Sequence, residues 1–581
     1  MLSRGRFLTC ARLAVGLGIL SAACGSTTPA DPMASFRNQE LTWVACDTST
    51  MDAPSAAAVE ALGDRVRCAT MRAPLDYADP ARGELSVAFL RVAAGQPAER
   101  AGAILFNPGG PGGDGIPVAL LFASRWTTAP PDDPVAGPYR RIAGIYDLVG
   151  FSPRGTGSST RLSCQGAEPL PFVTNPSADR SPANVAAMVE SGRMLAAACA
   201  ANPLTRHMHT DATARDMDLF REVTGDAKLH YYGASYGTWL GTWYASLFPE
   251  RVGRMLLTGV VNLEAGLQET FLAMPRARQA VLDEVLAPYA ARYPGAFGLG
   301  TDPDAIRRIH PGLPLHLQTS ASEMLSLGES GHARDYVLVL AAARGLQEIL
   351  EAHPGATEAE VSALIDGHAF VPDPSIEPVA RETAHALSQA TFSKMRHATG
   401  PVDLDGPTAL QYAVVCNDEP PPRSLPDWID QNDRDAALYP LNGGYWTDFP
   451  CVSWGGNVVT RPPLASARAA GGMLLLQTRR DPITSLEGAL ASLDALPGSS
   501  MVEVIGDDFN HGLIVPYGSA CVDGPVSSFF LQGTLPPRRI ECQGRELAAP
   551  GGEVATAGSL LPARSRGPAS GRYFPGPLYF P

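Results

Sequence analysis

The sequence lacks the features that mark nucleic-acid-binding and metal-binding proteins. It has 45 Lys and Arg against 59 Asp and Glu, so its formal net charge of −14 excludes a surface built to bind a phosphate backbone. It has no C-x-x-C pair and no cluster of His and Cys at zinc spacing, so we expect neither a metal site nor a cofactor. It also contains no internal repeat. What remains is 581 residues, 45% of them hydrophobic, enough for a large core and too long for one ordinary domain.

The N-terminal segment is too short to anchor the chain by crossing a bilayer. Residues 1–23 carry basic side chains, then an apolar run at 13–20, then small residues, which is typical of a secretory signal peptide. The run Leu20-Ser21-Ala22-Ala23-Cys24 resembles a bacterial lipobox, which predicts Cys24 as the acylated first residue of the mature chain, followed by a polar tether over 24–40. The alternative is cleavage after an alanine and free secretion.

Eight cysteines remain beyond the targeting segment, and an even number in an exported chain predicts disulfides. Pairing in sequence order would close short local loops, but it is one of 105 possible connectivities. The eight are Cys46, Cys68, Cys164, Cys199, Cys416, Cys451, Cys521 and Cys542.

Apolar strand-like runs alternate with amphipathic helices in two parts of the chain, which predicts parallel βαβ units and an α/β fold. We assign 41–262 to the first part of a core, 263–405 to a helical insertion without a convincing strand, 406–545 to the rest of the core, and 546–581 to a disordered tail. The predicted strands are 85–92, 103–106, 146–151, 229–232, 255–261, 473–477 and 501–505.

The chain contains one G-x-S-x-G motif, Gly233-Ala234-Ser235-Tyr236-Gly237. An apolar strand precedes it and a plausible helix follows, which is the context of a nucleophile elbow in an α/β-hydrolase. The alternative is an ordinary turn serine at the start of a helix. The motif predicts Ser235 as a nucleophile.

A serine nucleophile needs a base and an acid that orients the base, and in α/β-hydrolases the chain order is Ser, acid, His. Of eleven histidines, only His511 lies beyond residue 397, and it follows a predicted strand. Asp481 closes the preceding strand and is the predicted acid, although a turn cap before Pro482 is the alternative reading. Asp507 and Asp508 lie on the same loop as the base, where reaching its far nitrogen is geometrically awkward.

The oxyanion of an acyl-transfer intermediate needs backbone donors. We expect one from the N–H of Tyr236, directly after the nucleophile, and one from the glycine-rich loop at 107–113. Gly110 is the better candidate there, because Pro108 and Pro111 have no N–H. The same loop lacks the Gly-Lys-Ser/Thr ending of a phosphate-binding P-loop.

Together these motifs resemble the secreted tripeptidyl aminopeptidases and their relatives, α/β-hydrolases allied to prolyl iminopeptidases. The resemblance covers about residues 40 to 545. It rests on the glycine-rich loop, the elbow, the Asp481 turn, the His511 loop and Pro153-Arg154-Gly155-Thr156-Gly157-Ser158, all in family order, and on the cysteine-bearing C-terminal segment, which looks like the family's final TAP-like domain. Three positions depart from the family pattern: Ser152 replaces an Asp, Asp114 interrupts Gly-Gly-Ser-Gly, and Thr258 replaces the Asp of Asp-Gly-Val.

Membership would imply a mostly parallel sheet, a helical cap over the site, and a serine hydrolase that removes short peptides from a free N-terminus through an acyl-enzyme. Such an exopeptidase must bind an α-ammonium with an acid. The candidates are Asp418, Glu419, Glu264 and Glu269, although each can equally be a solvated acid.

Two alternatives stay open. One is a carboxylesterase acting on small esters through the same triad, which some relatives of this family are. The other is a non-catalytic, lipid-anchored envelope protein that binds peptides on a hydrolase scaffold. Neither version involves nucleic acid, and the sequence identifies no specific protein partner.

Overall fold

The computed structural model describes residues 31–396 and 399–552. Its centre is a nine-stranded sheet in the order β1-β2-β4-β3-β6-β7-β9-β10-β11. The pairs β1–β2 and β2–β4 are antiparallel and all other pairs are parallel. The strands are β1 (Val66–Pro74), β2 (Glu84–Val92), β3 (Gly102–Asn107), β4 (Tyr146–Ser152), β5 (Ser163–Pro169), β6 (Leu229–Ala234), β7 (Val252–Thr258), β8 (Pro401–Asp405), β9 (Leu474–Thr478), β10 (Ser500–Ile505) and β11 (Arg539–Gln543).

The central strands are buried on both faces, as their near-continuous apolar sequences predict for a parallel sheet covered by helices. Successive side chains point to opposite faces, so Leu105 joins one hydrophobic core while its neighbours Ile104 and Phe106 join the other. The predicted mostly parallel α/β sheet is confirmed, with all seven predicted strands present.

Helices cover both faces of the sheet and connect the parallel strands. Those before residue 262 are α1 (Ala34–Arg37), α2 (Ala53–Leu62), α3 (Gly115–Thr128), α4 (Gly137–Ile145), α5 (Pro182–Ala200), α6 (Thr210–Val223) and α7 (Tyr236–Leu247).

The middle of the chain is helical and has a hydrophobic core of its own, built mainly from Val281 to Leu387. Its helices are α8 (Leu267–Val281), α9 (Ala287–Arg292), α10 (Pro294–Phe297), α11 (Pro303–Arg307), α12 (Leu315–Met324), α13 (Ala333–Ala352), α14 (Glu358–Gly367) and α15 (Glu377–Met395). We call α8 to α15 with their connections the cap.

The chain then returns to the sheet. Its last helices are α16 (Gly406–Asp418), α17 (Leu425–Leu438), α18 (Leu464–Ala467), α19 (Leu486–Ala495) and α20 (Ala520–Gln532).

Three sequence-based boundaries need correction. The range 263–405 ends in a strand, because β8 pairs antiparallel with β5 in a separate two-stranded sheet. Part of the expected tether is folded: α1 lies within it, and Phe36 is buried in the main core. The start of the expected tail is also packed, since Ala548 O accepts a hydrogen bond from the Tyr289 hydroxyl and Leu547 lies against the cap core.

Four disulfides pair the eight cysteines in sequence order: Cys46–Cys68, Cys164–Cys199, Cys416–Cys451 and Cys521–Cys542. This resolves the connectivity that the sequence leaves open. Cys24 and the predicted signal peptide lie outside the described residues. Over residues 31–396 and 399–552, no helix has the length and apolarity needed to cross a membrane.

Candidate active site

Ser235 lies at the junction between β6 and α7, where the chain turns sharply. Its backbone has φ 55° and ψ −124°, a conformation that a residue with a side chain adopts only under strain. Its N–H donates to Thr258 O at the end of the neighbouring strand β7, at 2.9 Å. The serine is therefore held in the strained turn expected of a nucleophile elbow.

The two motif glycines make this turn possible. A Cβ on Gly233 would lie 2.5 Å from Gly237 O, and a Cβ on Gly237 would lie 2.8 Å from Asn107 O. These distances are too short for any side chain, so strand, helix and glycine-rich loop can approach closely only with glycine at both positions.

Asp481 and His511 lie side by side on loops that follow β9 and β10. His511 Nδ1 is 2.8 Å from Asp481 Oδ2 and 2.9 Å from Oδ1. Asp481 also accepts from the N–H groups of Ile483 and Thr484 and from the Thr484 hydroxyl. Both side chains are buried, and a hydrogen bond in such a low-dielectric setting is stronger than in water. The carboxylate, held by these bonds, therefore fixes the orientation of the imidazole.

Residues 258 and 259 lie between Ser235 and the Asp481–His511 pair. Thr258 O binds the Ser235 N–H, while Thr258 Oγ1 accepts from Leu513 N at 2.6 Å. The next residue, Gly259, has φ +59°, and a Cβ there would lie 3.1 Å from His511 Cε1. One two-residue turn therefore contacts the Ser235 backbone on one side and the His511 ring on the other.

The glycine-rich loop packs directly against the elbow. A Cβ on Gly109 would lie 2.9 Å from Ser235 Cβ and 3.0 Å from Tyr236 N. The Gly109 N–H donates to Asn107 Oδ1 and the Gly113 N–H donates to Gly109 O, and Gly110, the predicted donor, lies between these two residues. The loop and the Tyr236 amide thus meet beside Ser235, as an oxyanion site requires.

The four acids proposed to bind a substrate ammonium occupy different settings. Both oxygens of Asp418 accept hydrogen bonds from buried partners, and Glu419 accepts from Leu267 N and Gln268 N at the start of α8. Glu269 pairs with Arg423 at 2.6 Å, and Glu264 is exposed. Asp418, Glu419 and Glu269 are therefore engaged by the protein itself.

Sequence reasoning missed a cap segment, 328–330, that is bonded to the loop of His511. Gly328 O accepts from His511 N at 2.8 Å, and the Ser330 N–H donates to Asn510 Oδ1 at 3.0 Å. Ser330 Oγ contacts Asp508 Oδ1 and Asn510 Nδ2. The segment lies 180 residues before the loop, so no local pattern could reveal the contact.

The same segment carries Glu329, a carboxylate that is only 7% exposed. It is 2.7 Å from His332 Nε2, and hydrogen bonds from His332 to Asp335 and to Glu329 raise the pKa of His332 to about 9. Glu329 thus lies between Gly328 and Ser330, which both bond to the loop of His511. No local sequence pattern indicates this placement.

Two family models and several curated proteins match this chain. The profile of the alpha/beta hydrolase fold matches residues 102–303, and that of the TAP-like protein family matches 439–542. The tripeptidyl aminopeptidase of Streptomyces lividans is 28% identical over 494 residues, spanning 82% of this chain and 83% of that protein. The serine protease Hip1 of Mycobacterium tuberculosis H37Rv is 27% identical over 485 residues, with 82% and 87% covered. Carboxylesterase B of the same strain is 29% identical over 490 residues, with 82% and 86% covered.

Proposed function

Because this chain belongs to the α/β-hydrolases that carry a TAP-like C-terminal segment, we propose that it is an exported serine aminopeptidase that releases short peptides, tripeptides in the first instance, from a free N-terminus. The observation that carries the proposal is the turn at Thr258 and Gly259, which contacts the strained Ser235 on one side and the His511–Asp481 pair on the other.

In this mechanism the Ser235 hydroxyl attacks the carbonyl of the scissile bond while His511 takes its proton as general base. Asp481, hydrogen-bonded to Nδ1, leaves Nε2 of His511 as the proton-accepting nitrogen and stabilises the imidazolium. The N–H groups of Tyr236 and Gly110 bind the oxyanion. His511 then protonates the leaving amine, and water releases the acyl-enzyme by the reverse steps.

For the α-ammonium of the substrate we propose Glu329, which is paired with His332 as Glu269 is with Arg423, but which differs from the other acids in its place beside the loop of His511. It is largely buried in a cap segment whose neighbouring residues bond to the loop of His511, so an ammonium bound there would lie near the base. Its low exposure strengthens the attraction between the carboxylate and a bound cation. Of the four sequence candidates, Glu264 is the one whose side chain is exposed, and it serves as the matched control.

Export is supported by four disulfides, which form and persist in oxidising compartments. We further propose that the exported protein is an envelope lipoprotein anchored through Cys24, which the lipobox-like sequence before that residue supports. Mass spectrometry of the mature N-terminus distinguishes a diacylglyceryl cysteine from a free α-amine after signal cleavage.

The nucleophile is tested by labelling with a fluorophosphonate. Wild-type protein should be modified at Ser235, and Ser235→Ala should not react. A folded wild-type protein that resists the reagent would instead favour the non-catalytic peptide-binding alternative.

The aminopeptidase assignment is tested with a tripeptide amide and its N-acetylated form. The free amine should be cleaved after the third residue and the acetylated form should not. Glu329→Gln should raise KM for the free amine by about tenfold, the value of one lost charge interaction of about 1.4 kcal/mol, while Glu264→Gln should leave it unchanged. Equal cleavage of both substrates would contradict the assignment.

A carboxylesterase on the same triad is the second candidate, and the relative named carboxylesterase B favours it. Comparing kcat/KM for a short acyl ester with that for the tripeptide amide separates the two functions. An enzyme that hydrolyses only the ester, with no effect of Glu329→Gln, is an esterase.

A further inference from the structure

Asp418 lies at the end of α16 and is 2% exposed, yet it receives three hydrogen bonds. Oδ1 accepts from Thr210 N at 2.9 Å, and Oδ2 accepts from Thr210 Oγ1 at 2.5 Å and from Trp239 Nε1 at 3.1 Å. All three donors are buried. The carboxylate is therefore an internal acceptor joining the start of α6, the end of α16 and helix α7, which follows the nucleophile.

The network reaches the residue directly after Ser235. Thr210 Oγ1 lies 2.6 Å from the Tyr236 hydroxyl. Burial raises the pKa of Asp418 to about 7, and above that pH, where Asp418 is ionised, the Thr210 hydroxyl donates to the carboxylate and therefore accepts from Tyr236. The hydrogen bonds then run in one direction, from Tyr236 through Thr210 to Asp418.

Asp418 thereby holds one face of α7 at two points, directly at Trp239 and through Thr210 at Tyr236. Tyr236 and Trp239 are three residues apart, a spacing that puts both side chains on the same side of the helix. Tyr236 is the first residue of α7, and its amide lies beside Gly109 of the glycine-rich loop. Fixing the Tyr236 ring therefore restricts rotation of the turn that carries both Ser235 and this amide.

We propose that Asp418 and Thr210 are positioning residues for the oxyanion site, acting through the Tyr236 hydroxyl to hold the Tyr236 amide in line with the Ser235 nucleophile. The inference rests on the proposed serine-hydrolase function and assigns Asp418 a role other than binding substrate. It predicts an effect on turnover rather than on substrate affinity, because none of the three side-chain bonds involves the substrate.

Three variants remove successive links of this network. Tyr236→Phe deletes only the hydroxyl, Thr210→Val deletes the bridge, and Asp418→Asn removes the anionic acceptor while keeping its shape. Each should lower kcat for the tripeptide amide by about tenfold, the loss expected for one buried hydrogen bond, with KM unchanged. Thr210→Ser, which keeps the hydroxyl, should restore most of the rate lost in Thr210→Val.

Two further measurements separate positioning from general support of the fold. The double variant Tyr236→Phe/Thr210→Val should be no slower than Thr210→Val, because both changes break the same link. Thr213→Val, which deletes another buried hydroxyl of α6 whose partner is His209 O, should keep the wild-type kcat even if it melts earlier.

The rate of fluorophosphonate labelling distinguishes failure of this inference from failure of the proposed function. A wild-type protein that does not label would remove the function itself. The positioning role would be overturned if the wild type labels but Tyr236→Phe and Thr210→Val keep the wild-type kcat, or change only KM. That result would leave the proposed triad unaffected.

Discussion

Ser152 donates a hydrogen bond to Asp114 across 3.0 Å, at the end of β4 and the start of α3. These are two of the three positions at which the chain departs from the pattern that its resemblance to the tripeptidyl aminopeptidases implies, with an Asp at 152 and a Ser at 114. Relative to that expected pattern the two residue types are interchanged, and in this chain they are in contact. The contact predicts that the two departures compensate each other.

This exchange predicts strong coupling between the two positions. Ser152 is buried, and burial raises the pKa of Asp114. A Cβ on Gly157 would lie 2.3 Å from Ser152 Oγ and 2.4 Å from Asp114 Oδ2, so there is no room for a second carboxylate. Ser152→Asp should lower the free energy of unfolding by about 3 kcal/mol, because it puts two acids in contact.

The double variant Asp114→Ser/Ser152→Asp should recover most of that loss. The carboxylate introduced on β4 would accept from the new serine hydroxyl and from Ser158 N, which already bonds to the side chain at this position. The serine introduced before α3 would still cap that helix, as Asp114 does now. Urea denaturation of the four proteins of the cycle measures the coupling. A double variant as unstable as Ser152→Asp alone would show that the positions are independent.

The Asp481–His511 pair leads to a second prediction, on turnover. Asp481→Asn preserves size but offers an N–H to His511 Nδ1 and so favours the wrong tautomer. We expect kcat to fall by about 10⁴, with the fold retained and KM little changed. The control is Asp507→Asn, a partly exposed acid on the same loop as the base, which should be near wild type. A small effect of Asp481→Asn would mean that another group orients the histidine.

The cap segment leads to a third prediction. Ser330→Ala removes the hydroxyl contacts to Asp508 and Asn510 but leaves the backbone bonds from this segment to the base's loop. We expect kcat/KM to fall by about fivefold, roughly 1 kcal/mol, because His511 becomes less well ordered. Ser375→Ala, which deletes an exposed cap hydroxyl bonded to Asp373, should have no effect. Equal rates for the two variants would show that the cap does not help to position the base.

Much of the site could be predicted because its signals are local or ordered along the chain. The elbow is five residues long, and its first glycine, Gly233, is required by the close approach of Gly237 O within the same motif. Asp481 and His511 follow from the order of the triad and from each closing a strand. The expected fold followed from apolar runs such as that of β9, which is buried along its whole length.

The features that were missed depend on contacts between distant parts of the chain. From the sequence alone, Asp418 is indistinguishable from a solvated acid, because its partner Thr210 lies 208 residues away. The polar sequence of β11 gives no strand signal; the segment becomes a strand by pairing with β10, and Cys542 ties it to α20. The same holds for β8, whose partner β5 lies far earlier in the chain, so tertiary pairing decides its structure.

The fourth prediction concerns His230, a buried residue near the start of β6, at the end of that strand opposite to Ser235. Its Nδ1 accepts from Arg254 N at 2.9 Å, so this nitrogen cannot carry a proton in the folded state. Burial, with the nearby Arg254 charge, lowers the pKa of His230 to about 4. In the unfolded chain the pKa of histidine is about 6.5.

The folded pKa lies below the unfolded one, so the contribution of His230 to stability is complete above about pH 6.5 and is lost as the pH falls toward about 4. Over the interval from about pH 7.5 to about pH 5 the loss should be about 2 kcal/mol. His230→Asn keeps an acceptor for the Arg254 amide but does not titrate. The variant should be less stable than wild type at the higher pH, since it loses ring packing against Tyr146. On acidification, however, its free energy of unfolding should fall by about 2 kcal/mol less than that of the wild type. Denaturant titrations at the two pH values measure this difference, and parallel losses in both proteins would mean that the pKa of His230 in the folded protein is not lower than in the unfolded chain.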